Sequence, residues 1–533
     1  MLYLGTVSSR RILNSRAHSY LRRAFSFTSS RAKVKTSARN DPNVPRDRWN
    51  YNVSPLIQSS QTKHEELELV DANTLESATE PPRGVKMLVR DFIEDSLYNP
   101  NYGYFPKQAT IFNTDNSALD FGSLRDSVEF QEEVGQKYAA YGADKHDGPG
   151  RQLWHTPTEL FKPWYGRAIA QCLVAEYLLK YFPYEDFIIY EIGAGNGTLA
   201  LDILNYLRDE YPEVYERTRY NIIEISGSLV NLQKQRLSKA HPNVKVIHKS
   251  IFHWKTKEPA PCFFLAMEVI DNFAHDLVRY DLQTMQPYQG VVTIDPQGEF
   301  EVVYTPAADP LILEFLDLRL RLKHPMPVNR LFQSSNILRK FYLSLPFAPN
   351  LSTEEYIPTR MVSLLRTLRN HFPRHRLLLS DFSSLPETIS GVNGPVVQTR
   401  FRNVTVPCST LLVRQGYFDI FFPTNFERLR DMYEYMISHY RPPCDPDMRS
   451  TPLATNSTPM ALGDSYFSSH LPRNRRNPLD GVTSASGLPV GERKSNVFTH
   501  SEFMQTYADL SKTTLQNGEN PMLDFYKNVK FLF

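Results

Sequence analysis

The stretch Tyr190-Glu191-Ile192-Gly193-Ala194-Gly195-Asn196-Gly197-Thr198-Leu199 constrains this chain more than any other. It follows a short apolar run, Phe187-Ile188-Ile189-Tyr190, and leads into a helical pattern over 198–208. A glycine-rich turn gains meaning from a buried strand before it and a helix after it. Gly193 and Gly195 let the backbone turn sharply and approach a ligand that a Cβ would exclude. The pattern then repeats, with strand 220–225, helix 227–240, strand 244–248 and strand 262–267. Further on, 311–322 and 356–371 read as helices, and 376–380 as a buried strand ending at Asp381. Strands alternating with helices at this spacing imply βαβ units and a parallel sheet. The expected fold is α/β and Rossmann-like, with helical additions and insertions.

Two cofactors compete for the glycine turn. A dinucleotide site asks for G-x-G-x-x-G, the third glycine allowing close helix–strand packing. Here position 198 is Thr, and the third glycine, Gly197, comes one residue early. Glu191 at the strand end suits a cationic methionine moiety better than a pyrophosphate. The second strand ends in Ile222-Ile223-Glu224, and a carboxylate there can hold both ribose hydroxyls. These residues favour S-adenosylmethionine over NAD; a βα turn with incidental glycines is the remaining reading. Ser250 and Ile251, after the third strand, are candidates to flank the adenine, although a Ser-Ile pair before a helix is also an ordinary N-cap. The candidate cofactor set is therefore Glu191, Gly193, Gly195, Gly197, Glu224, Ser250 and Ile251.

The fourth strand runs into Glu268-Val269-Ile270-Asp271-Asn272-Phe273. Open α/β sheets bind ligands at the carboxyl edge of their strands. Glu268 and Asp271 fall there three residues apart, so one helical turn could aim both at a common point. Two carboxylates can grip a guanidinium bidentately and accept a proton from it. The competing reading is that they cap a following helix and complement its dipole. His275 beside Asp276 invites a catalytic reading, but a solvent-exposed helix pair is the preferred one.

The set of motifs resembles the MidA-type methyltransferases from about residue 84 to the C-terminus. It rests on Asn101-Tyr102-Gly103-Tyr104-Phe105, Thr156-Pro157-Thr158-Glu159-Leu160-Phe161, the 191–197 turn, Ile223-Glu224-Ile225-Ser226 with Gln233 and Arg236-Leu237, and Leu379-Ser380-Asp381-Phe382. The resemblance implies an S-adenosylmethionine-dependent methyltransferase fold. Mitochondrial members of the family are arginine methyltransferases that assist assembly of respiratory complex I. For this chain that implies a type II enzyme, symmetrically dimethylating an arginine on a complex I subunit, with Glu268 and Asp271 catalytic. Tyr102, Tyr104 and Glu159 match family positions and would line the substrate pocket; the tyrosines could equally be core residues with tethered hydroxyls. The family's N-E-x-x-D-A-x-P is altered, with Met267 for Asn, Asn272 for Ala and Ala274 for Pro. That departure favours an alternative, a catalytically impaired assembly scaffold that keeps the fold.

Charge and composition fill in the rest. Residues 1–40 carry nine Lys and Arg and no acid before Asp41. Arg- and Ser-rich and free of acids, they read as a mitochondrial transit peptide for the matrix. The remainder holds 51 basic against 58 acidic residues, near −7, so no broad nucleic-acid footprint is expected. No run reaches the roughly 18 apolar residues of a transmembrane helix. The four cysteines form no CxxC, and no metal site is expected. The expected organisation is a polar linker at 41–83, a methyltransferase domain over 84–440 with an insertion at 106–150, a disordered insertion at 441–497, and a return to the domain over 498–533. A protein substrate is the expected partner.

Overall fold

The computed structural model describes residues 66–107, 110–111, 119–142, 153–154, 156–401, 404–438 and 495–533. The transit segment 1–40, most of the linker, part of the first insertion and residues 441–494 of the second lie outside the described residues.

A seven-stranded sheet organises the chain. Its strands are β1 (Phe187–Ile192), β2 (Thr218–Glu224), β3 (Val244–His248), β4 (Cys262–Met267), β5 (His375–Phe382), β6 (Val497–Thr499) and β7 (Val529–Leu532). They run in the order β3-β2-β1-β4-β5-β7-β6. The pairs from β3 to β5 are parallel, whereas β7 is antiparallel to both β5 and β6. The chain places β2 and β3 on one side of β1, then crosses to lay β4 on the other. The strand order therefore reverses beside the carboxyl end of β1, where such sheets leave a crevice for ligands.

Every residue of β1 is buried, which explains its unbroken apolar run. Phe187 and Ile189 enter one core with α1 (Trp164–Lys180), α2 (Thr198–Glu210) and the C-terminal α9 (His500–Tyr507). Ile188, Tyr190 and Ile192 enter another with α4 (Pro310–Arg321), α7 (Thr359–His371) and α8 (Phe426–Ser438). A period of two thus splits one strand between two cores. Between α1 and α4 the chain also forms α3 (Gly227–Leu237), and between α4 and α7 two short helices, α5 (Arg330–Ser334) and α6 (Asn336–Leu343).

A second, six-stranded sheet with a third core packs beside the first. It joins Glu68–Leu69, Val85–Leu88, Asp276–Tyr280, Pro287–Ile294, Phe300–Pro306 and Glu355–Ile357. Several sequence expectations change here. The polar stretch 41–83 is not all linker, since Glu68–Leu69 pairs with Val85–Lys86 and Leu75 is buried. The apolar residues from Met87 to Leu97, whose spacing approximates a helix, divide: Met87 and Leu88 are strand, and the helix starts at Val89. The insertion at 106–150 contains the helix Ser127–Gly142, and Phe121, Phe130 and Val134 belong to the first core. Tyr356 is strand rather than helix. The C-terminal return starts before residue 498, because Ser495 is buried and Val497 pairs with Leu532. In each case tertiary pairing recruits residues whose local pattern is too short or too polar to announce it.

Phe531 on β7 is fully buried and stacks on Phe503 of α9 at 4.0 Å between ring centroids. Phe531→Ala is expected to cost about 3–5 kcal/mol, read as a fall in the denaturant midpoint; an unchanged midpoint would mean the C-terminus is dispensable to the fold.

Candidate functional site

A cavity of about 860 Å³ opens at the carboxyl ends of β1, β2 and β4. Its floor is the glycine turn. Gly193, Gly195 and Gly197 have φ of 66°, 54° and 75°, backbone that glycine adopts without strain. Gly197 N-caps α2, whose first turn faces the crevice. A Cβ on Gly193 would lie 3.0 Å from Val269 Cγ2, so this glycine answers first to the protein itself, letting the turn pack against the segment after β4.

Buried polar groups brace this turn. Glu159 Oε1 accepts from Asn196 Nδ2 at 3.0 Å and from the Thr198 hydroxyl at 2.6 Å. Arg236 donates to the carbonyl of Asn196 and to Thr198 Oγ1. Glu159 lines the cavity, but its bonds make it a brace for the cofactor turn. The expected pocket position of Glu159 thus coincides with a bracing role beneath the glycine turn.

The other expected cofactor residues converge on the same cavity: Glu191, Glu224, Ser250 and Ile251 all line it. Glu191 accepts from the Tyr220 hydroxyl at 2.8 Å, and burial pushes its carboxyl up to about 7. Glu224 Oε1 accepts from the amides of Ile225 and Ser226, both at 2.9 Å, and Oε2 from Gln233 at 3.1 Å. A carboxylate has about four acceptor positions, so Oε2 retains capacity for a ligand hydroxyl. Ser250 does cap the turn that follows, accepting from the Phe252 amide at 3.3 Å.

The acidic pair stands across from this floor. No helix follows β4; a turn closes instead, with the Phe273 amide donating to the Ile270 carbonyl. Glu268 sits in it at φ 54°, left-handed backbone that is costly for a residue with a Cβ. The helix-capping reading of the pair falls with the helix. The capping carboxylate is Asp381 from the end of β5, whose Oδ2 accepts from the amides of Ile270 and Asp271 at 2.9 and 3.1 Å. Glu268 and Asp271 line the cavity, and Glu268 Oε1 and Asp271 Oδ1 are shielded from water with no hydrogen-bond partner. Burial raises Glu268 to about 8 and Asp271 to about 6. Asp381 and Asp419 are pushed well above the carboxylate range, by burial and then by Asp271.

Other expectations are corrected. Tyr102 and Tyr104 do not line the cavity. The Tyr102 hydroxyl is tied to Asp95 Oδ1 at 2.6 Å, and Tyr104 is buried in the third core. Tyr98 and Phe105, from the same region, reach the cavity instead. His275 and Asp276 are buried rather than exposed on a helix. His275 stacks on Phe422 at 3.8 Å, and burial lowers it to about 3. Asp276, in a strand, accepts from Arg90 and Thr359.

Asp419 was missed by sequence reasoning. Its signal is a lone acid among Tyr417, Phe418, Ile420, Phe421 and Phe422. It accepts from Asn272 Nδ2 at 3.1 Å, so the Asn standing at the family's Ala position has a partner. Ala274 is buried in the third core. Among the described residues no His, Cys, Asp and Glu group could hold a metal ion, and no helix is long and apolar enough to cross a membrane.

The sheet order, glycine turn and strand-end carboxylate together define a Rossmann-like site for an adenosine cofactor. Residues 168–441, just over half of the chain, match the family model described as "Putative S-adenosyl-L-methionine-dependent methyltransferase". The chain belongs to this MidA-like family of methyltransferases, and S-adenosylmethionine is its cofactor. It is 27% identical over 327 residues to the "Protein arginine methyltransferase NDUFAF7 homolog, mitochondrial" of Schizosaccharomyces pombe, covering 59% of this chain and 67% of that protein. Two crystal structures of COG1565 superfamily proteins from Burkholderia thailandensis, one bound to S-adenosyl-homocysteine, align at 17% and 16% identity. They cover 73% of this chain and 79% of theirs, with TM-scores of 0.40 and 0.41.

Two measurements test this site. Gly193→Ala, with a Cβ in left-handed backbone against Val269, is expected to weaken S-adenosylmethionine binding about tenfold or more in calorimetry; adding Val269→Ala should recover part of it. Equal affinity in parent and Gly193→Ala would show that the turn tolerates a side chain. Glu268 titrates near 8 when folded against 4.5 in its ordinary state, so its protonated form favours the fold. Stability of the ligand-free protein should therefore fall as pH rises from about 4.5 through about 8. Glu268→Gln should gain at least about 1 kcal/mol over the parent at pH 9 and nothing near pH 4; a gain independent of pH would refute the assignment.

Proposed function

We propose that the chain is a mitochondrial protein arginine methyltransferase of type II, acting in the matrix on a complex I subunit and supporting assembly of that complex. The observation that carries the acceptor assignment is the pair of unpartnered, water-shielded oxygens, Glu268 Oε1 and Asp271 Oδ1, facing the cofactor cavity. Uncompensated buried acceptors are costly, so they suit a ligand that brings several donors and a positive charge. A guanidinium is such a group, planar and donor-only. The fission-yeast relative, named as a mitochondrial protein arginine methyltransferase, supports arginine and the mitochondrion, the acid-free residues 1–40 support import, and the family resemblance carries symmetric dimethylation.

Glu191, the glycine turn and Glu224 would hold S-adenosylmethionine, which supplies an electrophilic methyl group whose C–S electron pair returns to sulfur. The protein's own work is placement and proton handling. Glu268 and Asp271 grip the guanidinium, localising its charge so that one nitrogen can present an electron pair in line with the methyl carbon. As the N–C bond forms, the proton on that nitrogen passes to a carboxylate. Glu268, pushed up to about 8, is the better proton acceptor, and Asp271, lower at about 6, is the better anionic clamp. Val269 and Phe273 on the same turn, with Tyr98, Phe105 and Phe252, supply walls that help exclude water.

Glu268→Gln and Asp271→Asn are each expected to lower methyl transfer about a hundredfold or more while leaving cofactor affinity within a few-fold. The measurement is calorimetry beside mass spectrometry of dimethylarginine in complex I subunits from cells carrying each variant. The second reading, an assembly scaffold, draws on Met267, Asn272 and Ala274. Full complex I assembly in cells with the Glu268→Ala/Asp271→Ala double variant would favour it; arrested assembly would exclude it.

A further inference from the structure

A lobe far from the glycine turn in sequence gathers much of the exposed apolar surface among the described residues. Of eighteen large hydrophobic residues exposed among the described residues, eight fall between positions 313 and 347. Leu320 is 76% exposed, Ile337 81%, Phe341 65% and Phe347 81%. Neither α5 nor α6 has a single buried residue. The two are held to each other and to the body by Phe332, Tyr342 and Leu343, the first two with ring centroids 4.9 Å apart. Ile337 and Phe341 are four residues apart, so they share the side of α6 turned away from that anchorage, and the exposed Leu345 and Phe347 follow just past its end. Exposed apolar side chains scattered singly need no explanation, whereas a cluster on a protruding element does.

Charge on the same lobe is one-sided. Residues 318–353 contain Arg319, Arg321, Lys323, Arg330, Arg339 and Lys340 and no Asp or Glu. Arg319 is buried against Glu355, and Arg321 pairs with Asp317. Lys323, Arg330 and Lys340 are exposed, with no ion pair among the described residues. The chain beyond residue 40 carries a net charge near −7, so these cations run against the charge of the body that bears them.

We propose that α5, α6 and the 344–347 segment form a peripheral membrane-docking lobe for a bilayer surface containing anionic phospholipid. Interfacial helices of this kind pair a short apolar face with flanking Lys and Arg, and bind by apolar burial plus attraction to anionic headgroups. With no buried residue in either helix, the lobe presents exposed side chains to its surroundings, and a bilayer accepts such a face without a complementary surface. Repulsion between the acidic body and anionic headgroups would orient the protein with this lobe foremost.

The test uses the full chain, with Phe341→Trp as a local reporter, because residues 1–40 could draw any variant to anionic vesicles. Vesicles of phosphatidylglycerol and phosphatidylcholine with brominated acyl chains should quench the new tryptophan beyond any change in the parent's four. Ile337→Glu with Leu345→Glu in the reporter chain should abolish that quenching while the thermal midpoint holds. Arg330→Glu with Lys340→Glu should weaken the association about tenfold or more, and pure phosphatidylcholine vesicles should do likewise. A vesicle-bound reporter that is not quenched would overturn the proposal. So would Ile337-dependent self-association without lipid, which would make a second copy the occupant, or a reporter already shielded in the lipid-free chain, which would make the occupant a segment of the chain itself.

Discussion

One buried carboxylate holds the candidate active site together. Asp381, at the end of β5, takes the amides of Ile270 and Asp271 on one oxygen and its neighbour Phe382 on the other. The turn after β4 thereby gains fixed geometry without becoming a helix, and Glu268 is kept in left-handed backbone. The cost is electrostatic. Burial first, and then the charge of Asp271, raises the proton affinity of Glu268, Asp381 and Asp419, so the four carboxyls cannot all ionise together. A cationic ligand relieves that repulsion, and so the arrangement is a binding device as much as a strained structure.

The opposite wall follows a complementary logic. Glu159 and Arg236 bind Thr198 and the Asn196 unit from below, and Val269 presses on Gly193 from the acidic turn. Cofactor floor and acidic wall are therefore in direct contact, and a shift in either is felt by the other. That contact gives Gly193 a structural reason to be glycine beyond the approach of a ligand.

Much of this was legible in the chain. The strand-turn-helix context of residues 187–208 and its repetition through residue 267 announced the parallel half of the sheet, because strands alternating with helices at this spacing build βαβ units, and the buried β1 and β4 are almost continuously apolar. Glu191, Glu224, Ser250, Ile251, Glu268 and Asp271 all reach one cavity, as their positions at strand ends imply. Tyr102 and Tyr104 were misplaced because motif position says nothing of which way a side chain turns; Asp95 ties the Tyr102 hydroxyl, and the third core takes Tyr104. The burial of His275 and Asp276 is illegible in the chain because Arg90 and Phe422, which make it tolerable, are remote in sequence.

The sequence by itself determined the class of fold and the glycine turn, since both depend on local periodicity and on glycines whose need is set within a few residues. Only the tertiary structure decided that β7 closes the sheet antiparallel, that residues from 41–83 and 106–150 join the cores, and that Asp381 and Asp419 complete the acidic cluster. The closing strand and the acidic cluster rest on partners more than a hundred residues apart, and burial of a carboxylate depends on what folds over it, a property that no local pattern of residues encodes.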